Sequence, residues 1–315
     1  MKDTDDITRK KFRDPFYTLD GSQRASVPFE RMKTLWFNTG TLCNIECANC
    51  YIKSSPTNDD LIYLTQDDVA HYLAEMDSLH IRAEEIGFTG GEPFMNPEMI
   101  SITEQCLVAG YPVLVLTNAM RPMMRPSVKT GLLKLNETYP GQLTLRISLD
   151  HFDRDIHDRE RGKGNYDLTL DGMRWLSTHK FQMHVAGRAD FAENEASARE
   201  GYAALFAQEG FCVDAFDPKQ TVVFPEMDEV RDVPEITTAC WDILQTSPNA
   251  LMCSHSRMVV KRKGREKASV VACTLLPYEA EFELGPTLDE ARKSVSLNHP
   301  HCAKFCVLGK GSCSA

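Results

Sequence analysis

The sequence predicts an α/β fold, namely a partial (βα)6 barrel with a small cysteine-rich α+β extension after it. Between about residues 34 and 224, short apolar runs alternate with longer helical patterns, which is typical of strand-helix units around a parallel sheet. Six such units are too few for a closed eight-fold barrel, so we expect an open one. Beyond residue 235 this rhythm is absent, and six of the 11 cysteines follow.

The strands of this barrel are predicted at the apolar runs, with helical stretches between them. The helix over 65–79 opens with Thr65 and has Asp68 three residues on, which is close to a capping box. A linker is predicted at 225–235, because prolines and acidic residues gather there, and a β-hairpin with its turn at Gly264 is predicted after it. The predicted strands cover residues 34–40, 85–90, 112–118, 143–150, 181–188 and 211–216, and the predicted divisions are an N-terminal extension (1–33), the barrel (34–224), the linker (225–235) and the C-terminal extension (236–315).

Composition and charge exclude several classes of protein. The chain of 315 residues carries a net charge of -10, which argues against broad binding to nucleic-acid backbones. No segment reaches the ~18 consecutive apolar residues that a membrane span requires, and the N-terminus has no apolar run of signal-peptide length. We therefore predict a cytoplasmic protein with no nucleic-acid or membrane partner. The basic run over 257–267 is predicted to be a solvated hairpin tip, with docking of an acidic redox partner as the alternative.

A close-spaced cysteine triplet follows the first predicted strand. The cytoplasm keeps thiols reduced, so we interpret clustered cysteines as metal ligands rather than disulfides. Cys43, Cys47 and Cys50 have the spacing C-x3-C-x2-C. A zinc site usually pairs two C-x2-C units or adds histidines, and the sequence around this loop has no histidine. A 4Fe-4S cluster has four irons, so the triplet predicts a cluster with one iron left open for a ligand.

Further motifs follow at the ends of the next three predicted strands. "FTGGEP" ends the second strand, "LTNAM" ends the third and "RISLDHFD" ends the fourth. Barrel enzymes build their active sites on this face of the sheet. Together with the cysteine triplet, this ordered set resembles the radical S-adenosylmethionine (radical SAM) superfamily, whose GGEP motif matches residues 90–93. The resemblance covers about residues 34–224 and implies a TIM-like partial barrel.

The resemblance implies a mechanism and a set of cofactor-binding residues. In this family the open iron of the 4Fe-4S cluster binds the amino and carboxylate groups of S-adenosylmethionine (SAM), one electron breaks the sulfonium, and a 5'-deoxyadenosyl radical abstracts hydrogen from the substrate. A flavodoxin or ferredoxin is the implied reductant. The chain departs from the family at Asn49, where an aromatic residue or histidine is usual, and on the sixth strand, which lacks a clear glycine-rich motif. The implied cluster ligands are Cys43, Cys47 and Cys50, the implied SAM-binding residues are Gly90, Gly91, Glu92, Thr117, Asn118, Ser148, Asp150 and Arg188, and Arg161 with Gly162 matches the usual Arg-Gly pair.

A second set of cysteines follows the linker, and Cys253 and Cys273 flank the predicted hairpin. This arrangement resembles the twitch or SPASM type of extension, which implies a second, auxiliary 4Fe-4S cluster. A zinc site that also uses His255, His299 or His301 is the alternative. The implied ligands of the auxiliary cluster are Cys253, Cys273, Cys302 and Cys306, with Cys313 as the chief rival for the last places.

Three further cysteines are interpreted as structural. Cys240 has apolar neighbours in a helical pattern, and Cys106 and Cys212 stand alone in apolar surroundings. Free cysteine packs as a small hydrophobe, so we predict that Cys106 and Cys212 are core residues.

These features lead to one principal hypothesis, a radical SAM enzyme of the oxidoreductase or maturase type that catalyses a net oxidation or a coupling at an unactivated C–H bond. A net oxidation needs a general base, for which Asp190, Glu226 and Asp228 are the candidates. The substrate is expected to be a small molecule, or a peptide delivered by another protein, because residues 1–33 are short for a separate peptide-recognition domain. The alternatives are a ribosomal-peptide maturase that acts with a partner protein, a non-catalytic iron-sulfur electron carrier and a zinc-binding interaction module.

Overall fold

The chain folds around one nine-stranded sheet, as seen in a computed structural model that describes residues 11–188, 194–224 and 232–311. A second sheet of two short strands joins the N-terminal region to the C-terminal region. The strands are β1 (Ser26–Val27), β2 (Thr34–Asn38), β3 (Glu85–Thr89), β4 (Val113–Thr117), β5 (Leu143–Ser148), β6 (Gln182–Arg188), β7 (Thr221–Phe224), β8 (Ser256–Val260), β9 (Ser269–Val271), β10 (Glu283–Gly285) and β11 (Val295–Ser296). The helices are α1 (Gln66–Ser78), α2 (Met99–Val108), α3 (Pro126–Thr138), α4 (Arg154–Arg161), α5 (Asn165–Thr178), α6 (Glu195–Glu209) and α7 (Cys240–Ile243), and a π-helical segment covers Cys302–Leu308.

The predicted partial barrel is confirmed. Strands β2 to β7 lie side by side in chain order and are all parallel, with helices in the connections between them. Parallel strands of this kind are covered on both faces, and Leu35, Trp36 and Phe37 of β2 are each 0% exposed. Gly87 of β3 pairs with Trp36, and a Cβ at this glycine would lie 2.6 Å from the indole Cδ2. The indole therefore fills the space that a side chain at position 87 would need.

The predicted capping box at the start of α1 is also confirmed. The Thr65 side chain accepts a hydrogen bond from the backbone N–H of Asp68, and the Asp68 carboxylate accepts one from the backbone N–H of Thr65. Asp68 in addition receives the ammonium group of Lys261 at 2.8 Å. The cap of α1 thus also anchors the residue that follows β8.

The prediction for the sixth strand is wrong. The strand is β7, whereas residues 211–214 have no regular structure and residues 215–216 form a bend, in which the backbone N–H of Phe216 donates to the Asp214 side chain. Buried and exposed residues alternate along 211–216 as they would in a strand, so the hydrophobic period alone could not distinguish this irregular segment from a strand. The same alternation turns Cys212 outward, and this cysteine is exposed rather than in the core, while Cys106 is buried as predicted.

The C-terminal extension continues the barrel sheet. Strand β8 pairs in parallel with β2, and β9 returns antiparallel to β8, so the predicted hairpin is confirmed, with Gly264 in its turn at φ 77°. The domain limits stay a prediction, since residues 225–231 lie outside the described residues. The expected solvated tip is correct only in part, because Arg257 is buried within β8. Among the described residues, no helix is long and apolar enough to cross a bilayer.

Candidate functional site

The C-terminal ends of the parallel strands β2 to β6 surround one open cavity. Residues predicted from five separate segments meet there, because parallel strands all end at the same edge of a sheet. Tyr51, Leu116 and Arg161 also line this cavity. Leu116 begins the LTNAM segment and Arg161 belongs to the Arg-Gly pair, and Tyr51 directly follows the third cysteine. The predicted residues that line it are Cys43, Cys47, Cys50, Gly90, Gly91, Thr117, Asn118, Ser148 and Arg188.

Hydrogen bonds within the cysteine loop fix its conformation. The N–H of Cys43 donates to the Ser55 carbonyl at 3.0 Å, and the N–H of Ser54 donates to the Cys50 sulfur at 3.3 Å. Burial raises the pKa of Cys43 to about 12 and also raises that of Cys47. Thiols in this environment stay protonated unless a bound cation stabilises the thiolates, as a metal centre does.

The donor set fits an iron-sulfur cluster better than a single metal ion. Among the described residues, no group of three His, Cys, Asp or Glu side chains is arranged to hold one ion. A zinc ion needs all its ligands around one point, whereas a four-iron cluster takes each thiolate on a different iron. Cys43, Cys47 and Cys50 line one cavity, which fits a cluster that takes each thiolate on a different iron.

Gly91 allows the end of β3 to pack against the start of the cysteine loop. The N–H of Gly91 donates to the Gly40 carbonyl at 2.8 Å, and the N–H of Glu92 donates to the Leu42 carbonyl at 3.1 Å. A Cβ at Gly91 would clash with the Leu42 carbonyl and would lie 2.7 Å from the Thr41 carbonyl oxygen. Gly90 has φ 141°, a conformation that glycine adopts readily. The two glycines therefore set the position of the loop that carries Cys43.

Glu92 lies beneath the cavity and organises its floor. The side chain is 1% exposed and accepts hydrogen bonds from the Thr117 hydroxyl at 2.8 Å and from the Asn118 backbone N–H at 2.9 Å. The Asn118 amide in turn donates to the Asn44 side chain at 2.9 Å. Burial raises the pKa of Glu92 to about 7, although these hydrogen bonds act in the opposite direction. Glu92 thus links the ends of β3 and β4 to the cysteine loop.

As the pH rises from about 4.5 to 7, we expect the free energy of unfolding of the metal-free protein to decrease more steeply in the wild type than in Glu92→Gln. Folding raises the pKa of Glu92 above its ordinary value of 4.5, so the native state keeps a proton that the unfolded state releases. The resulting stabilisation is complete below pH 4.5 and is lost as the pH rises to about 7. The two slopes should differ by at most about 1.4 kcal/mol per pH unit, measured by urea unfolding at a series of pH values.

The matched control is Glu84→Gln, a change at an exposed carboxylate near the other end of β3. Its stability profile should run parallel to that of the wild type. Parallel profiles for Glu92→Gln and the wild type would contradict the protonated state of Glu92.

A buried ion pair borders the cavity. Both oxygens of the Asp150 carboxylate face Arg161, with Nη2 at 3.0 Å from Oδ1 and Nε at 2.8 Å from Oδ2, and Arg188 Nε lies 3.7 Å from Oδ1. Burial alone would raise the pKa of Asp150, but the two guanidinium charges outweigh it and lower the pKa to about 2. The Arg188 guanidinium also donates to the Asn49 carbonyl at 3.3 Å. One carboxylate therefore holds two cations beside the cysteine loop.

A second cavity adjoins the first on the side of the C-terminal extension. Asp150, Arg161 and Arg188 line it, together with Tyr51 and Phe305. The rings of Phe305 and Phe224, which ends β7, lie 5.4 Å apart. Tyr51 also lines a wider groove between the cysteine loop and residues 275–279. The predicted bases Asp190, Glu226 and Asp228 lie outside the described residues.

Three cysteines of the extension lie near one another in buried surroundings. Burial raises the pKa of Cys302 to about 12, and the nearby Cys253 raises it further. Burial likewise raises the pKa of Cys253 to about 11. Cys253 and Cys273 both lie close enough to Arg257 for their thiolate charges to raise its pKa, although burial lowers that pKa more strongly. Cys306 follows Cys302 on the π-helical segment and is half-buried, whereas Cys313 lies outside the described residues.

The other predicted residues of the extension take different positions. The Cys240 sulfur accepts a hydrogen bond from the Thr237 backbone N–H at 3.4 Å, at the start of α7. The His299 and His301 rings lie 4.7 Å apart, and His255 is buried near β8. Within the described ranges no three His, Cys, Asp or Glu side chains form a single-ion site.

Comparison with known proteins identifies the barrel. Residues 37–187 match the family described as the Radical SAM superfamily. A stretch of 171 residues is 30% identical to the antilisterial bacteriocin subtilosin biosynthesis protein AlbA of Bacillus subtilis, and the match covers 54% of this chain and 35% of AlbA. A stretch of 139 residues is 25% identical to the mycofactocin maturase MftC of Mycobacterium tuberculosis, covering 44% of this chain and 33% of MftC. The chain thus spans about a third of the length of these relatives.

Solved structures agree on the fold. The structure of Streptococcus suis SuiB bound to its precursor peptide SuiA superposes with a TM-score of 0.60 at 10% identity, over 84% of this chain and 66% of SuiB. At that identity the likeness shows the fold alone. The matched residues 37–187 contain the cysteine loop and the strand ends that line the cavity. Residues 37–187 are therefore a radical SAM domain.

Proposed function

We propose that the protein reductively cleaves SAM to a 5'-deoxyadenosyl radical and uses this radical to abstract hydrogen from a peptide. The observation that carries the proposal is the single cavity in which the three cysteines, the two glycines of the GGEP motif and Asn118 meet. A bound 4Fe-4S cluster would supply the electron that breaks the sulfonium. The side chains of the cavity would bind and orient the reactants and shield them from water.

Each group of residues has a distinct part in this proposal. Cys43, Cys47 and Cys50 hold the cluster, and Gly90 and Gly91 bring backbone groups close to SAM. The Arg188 and Arg161 guanidinium groups face the cavity, so they suit the carboxylate of SAM. Asp150 holds both guanidinium groups in place and offsets part of their charge. Thr117, Asn118 and Ser148 complete the wall of the cavity, and Glu92 positions Thr117 and Asn118 from below.

We further propose an auxiliary 4Fe-4S cluster in the extension, as in twitch or SPASM proteins. Cys253, Cys273 and Cys302 supply its first ligands, and either Cys306 or Cys313 completes the set. Such a cluster can accept the electron that remains after a substrate radical loses a proton, which makes the reaction a net oxidation. Asp190, Glu226 or Asp228 would take that proton. A flavodoxin or ferredoxin would supply the low-potential electron that starts each turnover.

A peptide is the substrate class that the relatives favour. AlbA is named for the biosynthesis of a bacteriocin, MftC is named a maturase, and SuiB has been solved with a precursor peptide. These names favour a peptide over a small molecule, the two substrate classes that the sequence left open. The groove lined by Tyr51 and residues 275–279 supports the same choice, because Tyr51 also lines the cavity of the cysteine loop and the second cavity, so a substrate in this groove would lie next to both.

Anaerobic reconstitution tests the proposed function. We expect about eight irons per chain for two clusters, and 5'-deoxyadenosine by mass spectrometry after dithionite and SAM are added. A sample without dithionite should form none, because the cleavage needs an electron. Survival of SAM with the reduced, fully loaded protein would favour the non-catalytic electron carrier. A colourless protein that binds zinc in place of iron would favour the interaction module.

A further inference from the structure

Arg257 is a buried cation in the wall of the C-terminal extension. It belongs to β8, is 1% exposed, and its guanidinium carbon lies 4.5 Å from the centre of the Phe29 ring. Four backbone carbonyls accept its hydrogen bonds, two of them from Nη1. The distances are 2.7 Å from Nε to Ala291, 2.6 Å and 2.7 Å from Nη1 to Cys253 and Ser256, and 3.0 Å from Nη2 to Lys293.

These carbonyls satisfy the N–H groups of Arg257 but leave its charge uncompensated. A buried charge is normally paired with an opposite charge, because transfer out of water costs several kcal/mol. Two other buried arginines follow this rule, since Arg24 pairs with Glu235 and Arg161 pairs with Asp150. Within the part of the chain that the structure describes, no carboxylate forms an ion pair with Arg257.

Two cysteines, Cys253 and Cys273, lie near the Arg257 guanidinium, whose Nη1 donates to the Cys253 backbone carbonyl at 2.6 Å. Arginine is not deprotonated in proteins near neutral pH, so this buried guanidinium carries a positive charge. Cys253 lies three residues before the start of β8 and Cys273 lies two residues after the end of its antiparallel partner β9, so both cysteines lie at the same end of the hairpin as Arg257. A negative charge placed on these sulfurs would complete the missing pair.

We propose that Arg257 is the buried counter-charge of an anionic iron-sulfur cluster bound by Cys253 and Cys273. The inference rests on the auxiliary cluster of the proposed function. A four-iron cluster with thiolate ligands carries net negative charge, and that charge increases when the cluster takes up an electron. A fixed cation beside it favours the reduced form and raises the reduction potential. Arg257 is then a positioning residue that makes the auxiliary cluster a better electron acceptor.

The test separates charge from hydrogen bonding. We would replace Cys43, Cys47 and Cys50 by alanine in the full chain, so that only the auxiliary site can hold a cluster, and then add Arg257→Lys or Arg257→Gln. Both substitutions break the fork of hydrogen bonds to the carbonyls, but only lysine keeps the charge. The measurements are iron per chain and the midpoint potential of the cluster, followed by electron paramagnetic resonance during a redox titration.

We expect the lysine variant to bind iron and to keep the midpoint potential of its parent. The glutamine variant should show a more negative potential and a lower iron content. Equal potentials for the lysine and glutamine variants would overturn the proposal, because they would show that Arg257 only ties the loops together. If the glutamine variant does not fold, the midpoint potential of the lysine variant, compared with that of the parent, tests the proposal by itself. A potential equal to that of the parent then supports the charge role, and a shifted one overturns it.

The parent variant separates this inference from the function on which it rests. A parent that binds about four irons retains the auxiliary cluster, so any failure then concerns Arg257 alone. A parent that binds no iron overturns both the auxiliary cluster and the counter-charge. In that case the assay for 5'-deoxyadenosine formation by the wild type would still test SAM cleavage independently.

Discussion

Replacing Cys47 by alanine is expected to abolish formation of 5'-deoxyadenosine while leaving the fold intact. Cys47 is one of three thiols that line the cavity, and its loss would leave one iron of the cluster without a protein ligand. The side chain is half-buried in a loop, so its removal leaves no sealed cavity in the core. We expect the iron content to fall by about half, since the auxiliary site is untouched. Iron analysis, mass spectrometry and circular dichroism measure the three effects.

The matched control is Cys212→Ala. Cys212 is exposed in the segment between α6 and β7, and it does not line the cavity of the cysteine loop. This variant should bind as much iron and cleave SAM as fast as the wild type. If Cys47→Ala still cleaved SAM at the wild-type rate, the proposed set of cluster ligands would be wrong.

The second large effect is expected for Gly91→Ala, with a roughly 10²-fold loss of SAM cleavage. A Cβ at Gly91 would clash with the backbone of Leu42 and Thr41, which directly precede Cys43. Backbone cannot move aside as a flexible side chain can, so the cysteine loop has to shift as a unit. Misplacement of reacting groups by about 1 Å is enough for a loss of this size. The rate of 5'-deoxyadenosine formation per bound cluster measures it.

Gly87→Ala provides the comparison for this second prediction. It lies on the same strand, and its Cβ would meet the Trp36 indole in the core instead of the cysteine loop. We expect a loss of about 1–3 kcal/mol in stability, with activity per folded molecule retained. If both variants lost activity only in proportion to their unfolded fraction, Gly91 would have a packing role and no influence on the site.

Local features of the sequence were sufficient for the core of the barrel. The strand-helix alternation predicted five of the six barrel strands near their observed positions, because buried parallel strands are short continuous apolar runs. Thr65 and Asp68 predicted the start of α1, because a capping box depends only on residues three positions apart. The cysteine spacing and the GGEP segment pointed to the site before any contact was known.

Contacts across the fold decided the rest. Residues 211–216 alternate in burial like a strand, yet a strand exists only where a neighbouring strand accepts its hydrogen bonds, and β6 pairs with β7 instead. Asp150 pairs with Arg161, 11 positions further along the chain, and with Arg188, which is more distant still. These spacings match the period of neither a helix nor a strand. The burial of Arg257 depends on where Ala291 and Lys293 lie, far along the chain, because their carbonyls accept its hydrogen bonds.

The sequence by itself determined the fold class, the family resemblance and the cysteine loop of this protein. These depend on residue types at short, regular spacings, which act through local backbone geometry. Only the tertiary structure decided that Glu92 is a buried carboxyl group beneath the cavity, that two arginines share Asp150, and that Arg257 stands without an acidic partner in the described residues. These three features depend on the exclusion of solvent and on the arrangement of charges. Solvent exclusion and charge are in turn set by segments that are distant in sequence and adjacent in space.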